Sequence, residues 1–255
     1  MYNLFPKDDW NPRQPSDDDD LWRYIDFTQF VSILENQELW FASAAEFFDP
    51  FEGALPEKAV EDRAEQLPDA VNNPKNIVLR EYDALRYMTY VNCWHQRKQE
   101  TAAMWQLYQD KGKEIAIKTS VSDFLNALPD RENITTGAVS YKKYDNNKTF
   151  TVNRVSPFFH KRLSFKHENE YRAVISEFEV ADGARIDSNY IEKIDKETPP
   201  GVAIPVSLDD LIQEIVVSPI AGNWMKSLAE NVLRTYSLTD VEVRWSNLSE
   251  DPFYA

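Results

Sequence analysis

Residues 166–172, which read KHENEYR, hold two acidic residues and an arginine within five positions. If a β-strand begins there, its period of two places Glu168, Glu170 and Arg172 on one face. Paired carboxylates beside a cation are residue types that general acid and base catalysis uses. The other interpretation is a solvated sheet edge that carries a cross-strand ion pair.

Aromatic residues near an arginine form a second candidate site. Arg23 lies between Trp22 and Tyr24 on the first predicted strand. Trp105 and Tyr108 are three positions apart on a predicted helix, which makes them neighbours on its surface. Two interpretations stay open: the rings pack the helix on the sheet, or they form a stacking wall for a flat ring with Arg23 close by.

Metal and nucleophile chemistry find less support in the sequence. The imidazole and thiol ligands are Cys93, His95, His160 and His167. Cys93 and His95 share a strand face, but two ligands do not make a zinc site and no CxxC or HxxxH pattern supports them. A cysteine dyad is disfavoured because same-face side chains diverge along a strand, and there is no GxSxG elbow. We predict no metal site, and we interpret Cys93 as a buried structural residue.

Short strands that alternate with helices must position these residues. Phe27, Phe30, Val31 and Leu34 recur at helical spacing, and Asp26 before them is the predicted N-cap. The charged, helical segment at about residues 56–88 is a predicted peripheral helical insertion. Strands are predicted over residues 21–25, 39–42, 90–94, 114–120, 137–144, 170–178, 211–218 and 241–245, and further helices over residues 102–110, 122–128 and 224–236.

The composition indicates a globular α+β protein. The chain has 255 residues, and 28 Lys and Arg against 43 Asp and Glu give a net charge of −15. Apolar residues make up 42%, enough for a sizeable core. Strands interleave with helices without a repeated βαβ unit, which predicts a single domain over residues 21–255 with a central mixed or mostly antiparallel sheet. Residues 1–20, rich in Pro and Asp, are a predicted mobile N-terminal arm.

The cysteine count, the lengths of the apolar runs and the absence of nucleotide-binding motifs exclude several classes of protein. A single cysteine excludes an internal disulfide framework and indicates a reducing compartment. No run approaches the ~20 apolar residues that span a bilayer, and the N-terminus does not resemble a signal peptide. The absence of GxGxxG and GxxxxGK[ST] excludes Rossmann and P-loop sites. We expect a cytoplasmic protein without a membrane partner.

A basic tract lies within this acidic chain. Such a tract could guide RNA or DNA to a site, although a solvated charged face is the alternative. Its members are Lys142, Lys143, Lys148, Arg154, Lys161, Arg162 and Lys166.

Several strings together resemble a large, uncharacterised bacterial family. They are LWRYIDFTQFVSILENQELWFASAAEFFDPFEG, CWH followed by ETAAMWQLY, PFFHKRLSFKHENEYRAVI, and VVSP. Members of that family open with a Tyr-Arg-Tyr strand, a helix, a second strand and an Asp-Pro-Phe-Glu-Gly loop. The resemblance extends from residue 21 nearly to the last residue, and it implies no function by itself.

A second resemblance is to ADP-ribosyltransferases, in particular the toxin branch that modifies nucleic acids. The family's first-strand Arg, aromatic wall and late-strand Glu match Arg23, the Trp105–Tyr108 pair and Glu170 by position. The family's Ser-Thr-Ser motif is not visible, and an Arg at position 172 is not one of its fixed features. The resemblance implies one NAD pocket lined by Arg23, Tyr24, Trp105, Tyr108 and Glu170, with Arg172 as a further cofactor-binding residue.

The resemblance implies an enzyme that transfers ADP-ribose from NAD to a nucleic acid or protein acceptor. Glu170 and Arg23 would be its catalytic residues. It would act as a toxin or antiphage effector, with an antitoxin or inhibitor as a partner. The alternatives are a non-catalytic nucleotide- or protein-binding module of a bacterial defence or regulatory system, and a structural interaction protein.

Overall fold

The computed structural model describes residues 10–67, 71–108, 112–130, 133–144, 153–177, 198–250 and 252. Within these residues, helices alternate with strands that pair mostly antiparallel in a single main sheet. The predicted α+β class with a mostly antiparallel sheet is therefore confirmed. Its ADP-ribosyltransferase-like form stays a prediction.

Eleven strands and seven helices lie in the described part of the chain. The strands are β1 (Asp20–Asp26), β2 (Glu38–Ser43), β3 (Thr89–Gln96), β4 (Glu114–Ser120), β5 (Ile134–Ala138), β6 (Ser140–Lys142), β7 (His160–Arg162), β8 (Glu170–Ser176), β9 (Gly201–Pro205), β10 (Glu214–Val217) and β11 (Glu242–Trp245). The helices are α1 (Phe27–Asn36), α2 (Glu57–Glu65), α3 (Pro74–Tyr87), α4 (Ala102–Leu107), α5 (Val121–Ala127), α6 (Leu208–Leu211) and α7 (Trp224–Thr235). None of these helices combines the length and apolar character that a bilayer crossing requires.

The chain divides into two compact units, each assembled from several segments. The first unit contains Met1–Gln14, Trp40–Asn92 and Arg131–Val202, and the second contains Pro15–Leu39, Cys93–Asp130 and Ala203–Ala255. Strand β3 supplies its first half to the first unit and its second half to the second. Whether both units fold as one domain, as the sequence predicts, stays a prediction.

The second unit is built around β4. This strand pairs antiparallel with β1 on one side and with β10 on the other, and β11 lies parallel beside β10. Strand β1 pairs with β3 at only two positions, Leu21 opposite Gln96 and Trp22 opposite His95. The ladder between β1 and β3 therefore ends just before Arg23.

Helix α1 begins where the sequence predicts. The Asp26 carboxylate accepts a hydrogen bond from Gln29 N at 2.9 Å, and the Gln29 side chain accepts one from Asp26 N at 3.4 Å. This capping box satisfies backbone donors that the first helical turn leaves open. The buried face of α1 carries Phe30, Ile33 and Leu34, so the helical spacing of these residues reflects burial.

The first unit has its sheet order β2–β3–β8–β5. Strand β8 is buried through six of its seven residues and pairs antiparallel with β5. Helices α2 and α3 lie within the predicted insertion and pack against each other. The predicted strand 137–144 is wrong in one respect: pairing with β8 stops at Ala138, and β6 pairs in parallel with β7 in a separate sheet.

Part of the predicted mobile arm is held by hydrogen bonds in both units. In the first unit, Ala138 N donates to Arg13 O at 2.9 Å, and the Trp10 ring lies 5.9 Å from that of Phe159. In the second unit, Val121 N donates to Asp19 O at 3.0 Å. Residues 1–9 of the predicted arm lie outside the described residues.

Candidate functional site

A tight turn separates Glu168 from Glu170. Glu168 ends the 3₁₀ turn Leu163–Glu168, Asn169 follows in the left-handed region at φ 41°, and β8 begins at Glu170. Asn tolerates this backbone conformation better than most residues. The predicted strand face therefore holds for Glu170 and Arg172, and it is wrong for Glu168, because the chain changes direction at Asn169.

Lys161 joins the two carboxylates. Its Nζ donates to Glu170 Oε1 at 2.6 Å and also to Glu168 Oε2. Lys161 is 7% exposed and Glu170 8% exposed, so this is a buried ion cluster. The alternative interpretation of a solvated edge does not fit that burial.

Arg172 holds Glu170 from the other side. Its Nε donates to Glu170 Oε2 at 2.5 Å, and Nη1 and Nη2 donate to the two Glu52 oxygens at 2.5 and 3.1 Å. Nη1 also donates to Phe158 O at 2.6 Å, and the residue has no exposed surface. Arg172 therefore positions Glu170 in this structure, and contact with a cofactor would require these hydrogen bonds to break.

The two glutamates have pKa values shifted in opposite directions. Burial alone would raise the pKa of Glu170, but the charges of Arg172 and Lys161 hold this pKa well below its usual range. Burial, together with the hydrogen bond to Glu170 and its negative charge, raises the pKa of Glu168 to about 7. At neutral pH, Glu170 is a fixed carboxylate and Glu168 can gain or lose a proton.

Three members of the nearby basic tract contact other residues of the protein. Lys161 pairs with Glu168 and Glu170, and Arg162 Nη2 donates to Asp49 Oδ1 at 2.7 Å. Lys142 Nζ lies 3.0 Å from His160 Nε2. Lys148 lies outside the described residues. The positive charges at Lys161 and Arg162 are thus neutralised locally, which favours a structural role over nucleic-acid guidance at these two positions.

The aromatic cluster lies in the second unit. The Tyr24 ring meets Trp105 edge to face at 4.9 Å and stacks on Tyr108 at 6.1 Å. Trp105 Nε1 donates to Glu100 Oε2 at 2.7 Å. Tyr24 and Trp105 are buried, whereas Tyr108 is 47% exposed, so Tyr108 offers most of the surface that a flat ligand ring could contact.

Arg23 lies where the β1–β3 ladder has ended. Its Nη1 donates to Cys93 O at 2.8 Å, and its guanidinium lies 5.9 Å from the Trp94 ring. Its Nε is buried without a hydrogen-bond partner among the described residues. Burial lowers the pKa of Arg23, and the Tyr108 phenol partly opposes this shift. Arg23 and Tyr108 therefore lie within electrostatic range of each other.

The predicted site residues belong to two groups. Arg23, Tyr24, Trp105 and Tyr108 come together in the second unit, and Glu170 and Arg172 in the first. Their convergence on one pocket stays a prediction.

Glu52 and Lys161 complete the ion cluster around Glu170 and Arg172, and sequence reasoning placed neither of them in this site. It assigned Lys161 to the basic tract instead. Each stands among aromatic residues, in DPFEG and in PFFHKRLSF. A charged residue in such a setting is a usable signal for a buried ion pair.

The described residues contain no group of three or more His, Cys, Asp or Glu side chains that could hold a metal ion. Cys93 is half-buried, where the sequence predicts a buried structural residue. Comparison of the chain with protein-family models gives no match, and neither does comparison with curated proteins.

Proposed function

We propose that the chain is an ADP-ribosyltransferase-like enzyme that transfers ADP-ribose from NAD to a macromolecular acceptor. In this proposal it acts in the cytoplasm as a toxin or antiphage effector. The observation that carries the proposal is the carboxylate pair, in which Glu170 is held charged and Glu168 has a pKa of about 7. Groups of this kind, with pKa values moved apart by their surroundings, are typical of acid and base assignments in active sites.

The chemistry gives each glutamate a task. When the nicotinamide–ribose C–N bond breaks, its electron pair leaves with nicotinamide and positive charge develops on the ribosyl group, as in glycoside hydrolysis. A fixed carboxylate at Glu170 stabilises that charge. A bond then forms between the ribosyl carbon and the acceptor, and the ionised Glu168 accepts the proton that the acceptor loses.

The second unit contains two groups with properties that suit parts of NAD. The Nε of Arg23 is buried and lacks a hydrogen-bond partner among the described residues, so it would be the donor to a phosphate oxygen if NAD reached it; charge-assisted bonds of this kind are strong. The exposed ring of Tyr108 can stack on a flat heterocycle. These features support the roles that the resemblance implies for Arg23 and Tyr108.

One observation favours the second candidate, a non-catalytic binding module. Arg172 is fully buried and bonded to Glu52, Glu170 and Phe158 O, so much of the ion cluster stabilises the fold. Buried ion clusters that serve structure alone also shift pKa values. A binding module would bind a nucleotide or a protein without turnover.

Nicotinamide release separates these candidates. The purified chain should bind NAD in calorimetry and release nicotinamide when bacterial RNA, DNA or cell extract supplies an acceptor. Labelled ADP-ribose should appear on the acceptor in the same reactions. Binding without release under every condition would support the module, and neither binding nor release would contradict the transferase proposal.

The rate of that reaction should rise with pH between about 6 and 8. Glu168, with its pKa of about 7, is protonated below this range and cannot accept a proton, whereas above it the carboxylate is free to do so. Glu168→Gln should lower the rate roughly 10²-fold or more and remove this rise.

The matched control is His167→Gln, because the imidazole next to Glu168 in the sequence is exposed. This variant should keep the wild-type pH profile. A rise that survives in Glu168→Gln and disappears in His167→Gln would contradict the role of Glu168.

A further inference from the structure

A concave site lies in the first unit, between the loop that follows Phe51 and the helices α2 and α3. This cleft is open to solvent and has a volume of about 150 Å³. Its apolar walls include Val60, Val78 and Leu79, and its polar groups are Tyr82, Asp83 and Arg86. Neither the ion cluster around Glu170 nor the aromatic cluster includes any of these residues. An apolar concavity with a few convergent polar groups is the usual form of a small-molecule site.

Arg86 supplies unsatisfied donors to this cleft. Its Nε is buried without a hydrogen-bond partner among the described residues. Its Nη1 lies 4.0 Å from Asp83 Oδ1, beyond the range of a direct hydrogen bond. The Arg86 side chain as a whole is 22% exposed, so part of it remains accessible to a ligand in the cleft.

The wall of the cleft fixes the Arg86 stem in place. Gly53 has a φ of +71°, in the region that favours glycine, and a Cβ there would lie 2.4 Å from Phe158 Cε1 and 3.1 Å from Arg86 Cγ. The Phe158 ring and the Arg86 stem thus both lie close to the Gly53 backbone. The guanidinium is presented on a packed stem, which lowers the entropy cost of binding.

We propose that this cleft binds a small monocarboxylate with a compact apolar body. The planar guanidinium of Arg86 matches the two oxygens of a carboxylate, and the walls formed by Val60, Val78 and Leu79 exclude water from the apolar body. An apolar cavity of about 150 Å³ has room for one benzene ring. The site is independent of the proposed transferase activity.

The negative charge of Asp83 should weaken the binding of a carboxylate ligand. Asp83 is about half-exposed, and its carboxylate lies near the same guanidinium. A bound carboxylate would therefore meet one attractive and one repulsive charge. Removing the negative charge should strengthen binding, and removing the positive charge should weaken it.

Benzoate is the probe, with benzamide as its uncharged equivalent of nearly the same shape. Ligand-detected NMR on the full chain should show benzoate binding to the wild type and at least tenfold weaker binding of benzamide. Arg86→Gln should weaken benzoate binding about tenfold or more, and Asp83→Asn should strengthen it several-fold. Arg80→Gln, which removes an exposed positive charge from the same helix, should leave the affinity unchanged.

Unfolding midpoints of all variants should match that of the wild type, because Asp83 and Arg86 retain exposed surface. If Arg86→Gln unfolds at a lower midpoint than the wild type, the test is the increase in benzoate affinity expected for Asp83→Asn. No benzoate binding to the wild type at 20 mM would overturn the proposal. Equal binding of benzoate and benzamide, or equal losses in Arg86→Gln and Arg80→Gln, would overturn it as well.

Discussion

Glu170→Gln should lower the rate of nicotinamide release by roughly 10² to 10⁴-fold, the usual cost of removing one electrostatic or general-base contribution. The substitution keeps the size of the side chain and removes its negative charge. In the proposed reaction this charge faces the ribosyl cation, which exists only near the transition state. The loss should therefore appear in kcat, with a much smaller change in NAD affinity.

Arg23→Ala should behave differently. A contact between Arg23 and a phosphate would be present in bound NAD as well as in the transition state, so both affinity and rate should fall. Calorimetric titration with NAD and single-turnover nicotinamide release, measured on both variants, separate the two patterns.

The control for Glu170→Gln is Glu177→Gln, since Glu177 is exposed and follows the same strand. This control should release nicotinamide at the wild-type rate. Far-ultraviolet circular dichroism and an unfolding curve must accompany Glu170→Gln, because the change also weakens the bonds from Arg172 and Lys161. A folded Glu170→Gln that is as fast as the wild type would show that Glu170 is not the catalytic carboxylate.

Local patterns were enough to predict most of the elements. The apolar spacing of α1 and its Asp26 cap identified the helix, and EIAIKTS matched β4, which is buried along most of its length. The period of two placed Glu170 and Arg172 together on β8. These features depend on residues a few positions apart, which a sequence displays directly.

The partners of Arg172 could not be found in this way. Glu52 is 120 positions away in the sequence, and its pairing with Arg172 depends on how β8 and the Asp49–Gly53 loop pack. The turn at Asn169 removed Glu168 from the predicted strand face, because one left-handed residue changes the direction of the chain. Pairing between distant segments and single backbone reversals leave little trace in hydrophobic periodicity.

Arg172→Met should produce the largest loss of stability, about 3–5 kcal/mol in the free energy of unfolding. Arg172 has no exposed surface and bonds to both Glu52 and Glu170. Methionine fills similar space but leaves the buried carboxylate of Glu52 without its cation, and Glu170 with Lys161 alone. Breaking one side of a buried ion pair is costly because the remaining charge stays desolvated.

Urea unfolding of three variants checks this origin of the loss. Arg80→Met, at an exposed position, should change the free energy of unfolding by no more than about 0.5 kcal/mol. Adding Glu52→Gln to Arg172→Met should recover part of the lost free energy of unfolding, because it removes the buried negative charge that Arg172 no longer neutralises. The deficit should also shrink as the pH falls. Without the charge of Arg172, burial raises the pKa of Glu170 above that in the unfolded chain, so acid protonates this carboxyl first in the folded state. A deficit that is the same at pH 5 and pH 8, and unchanged by Glu52→Gln, would mean that Arg172 acts through packing and not through its charge.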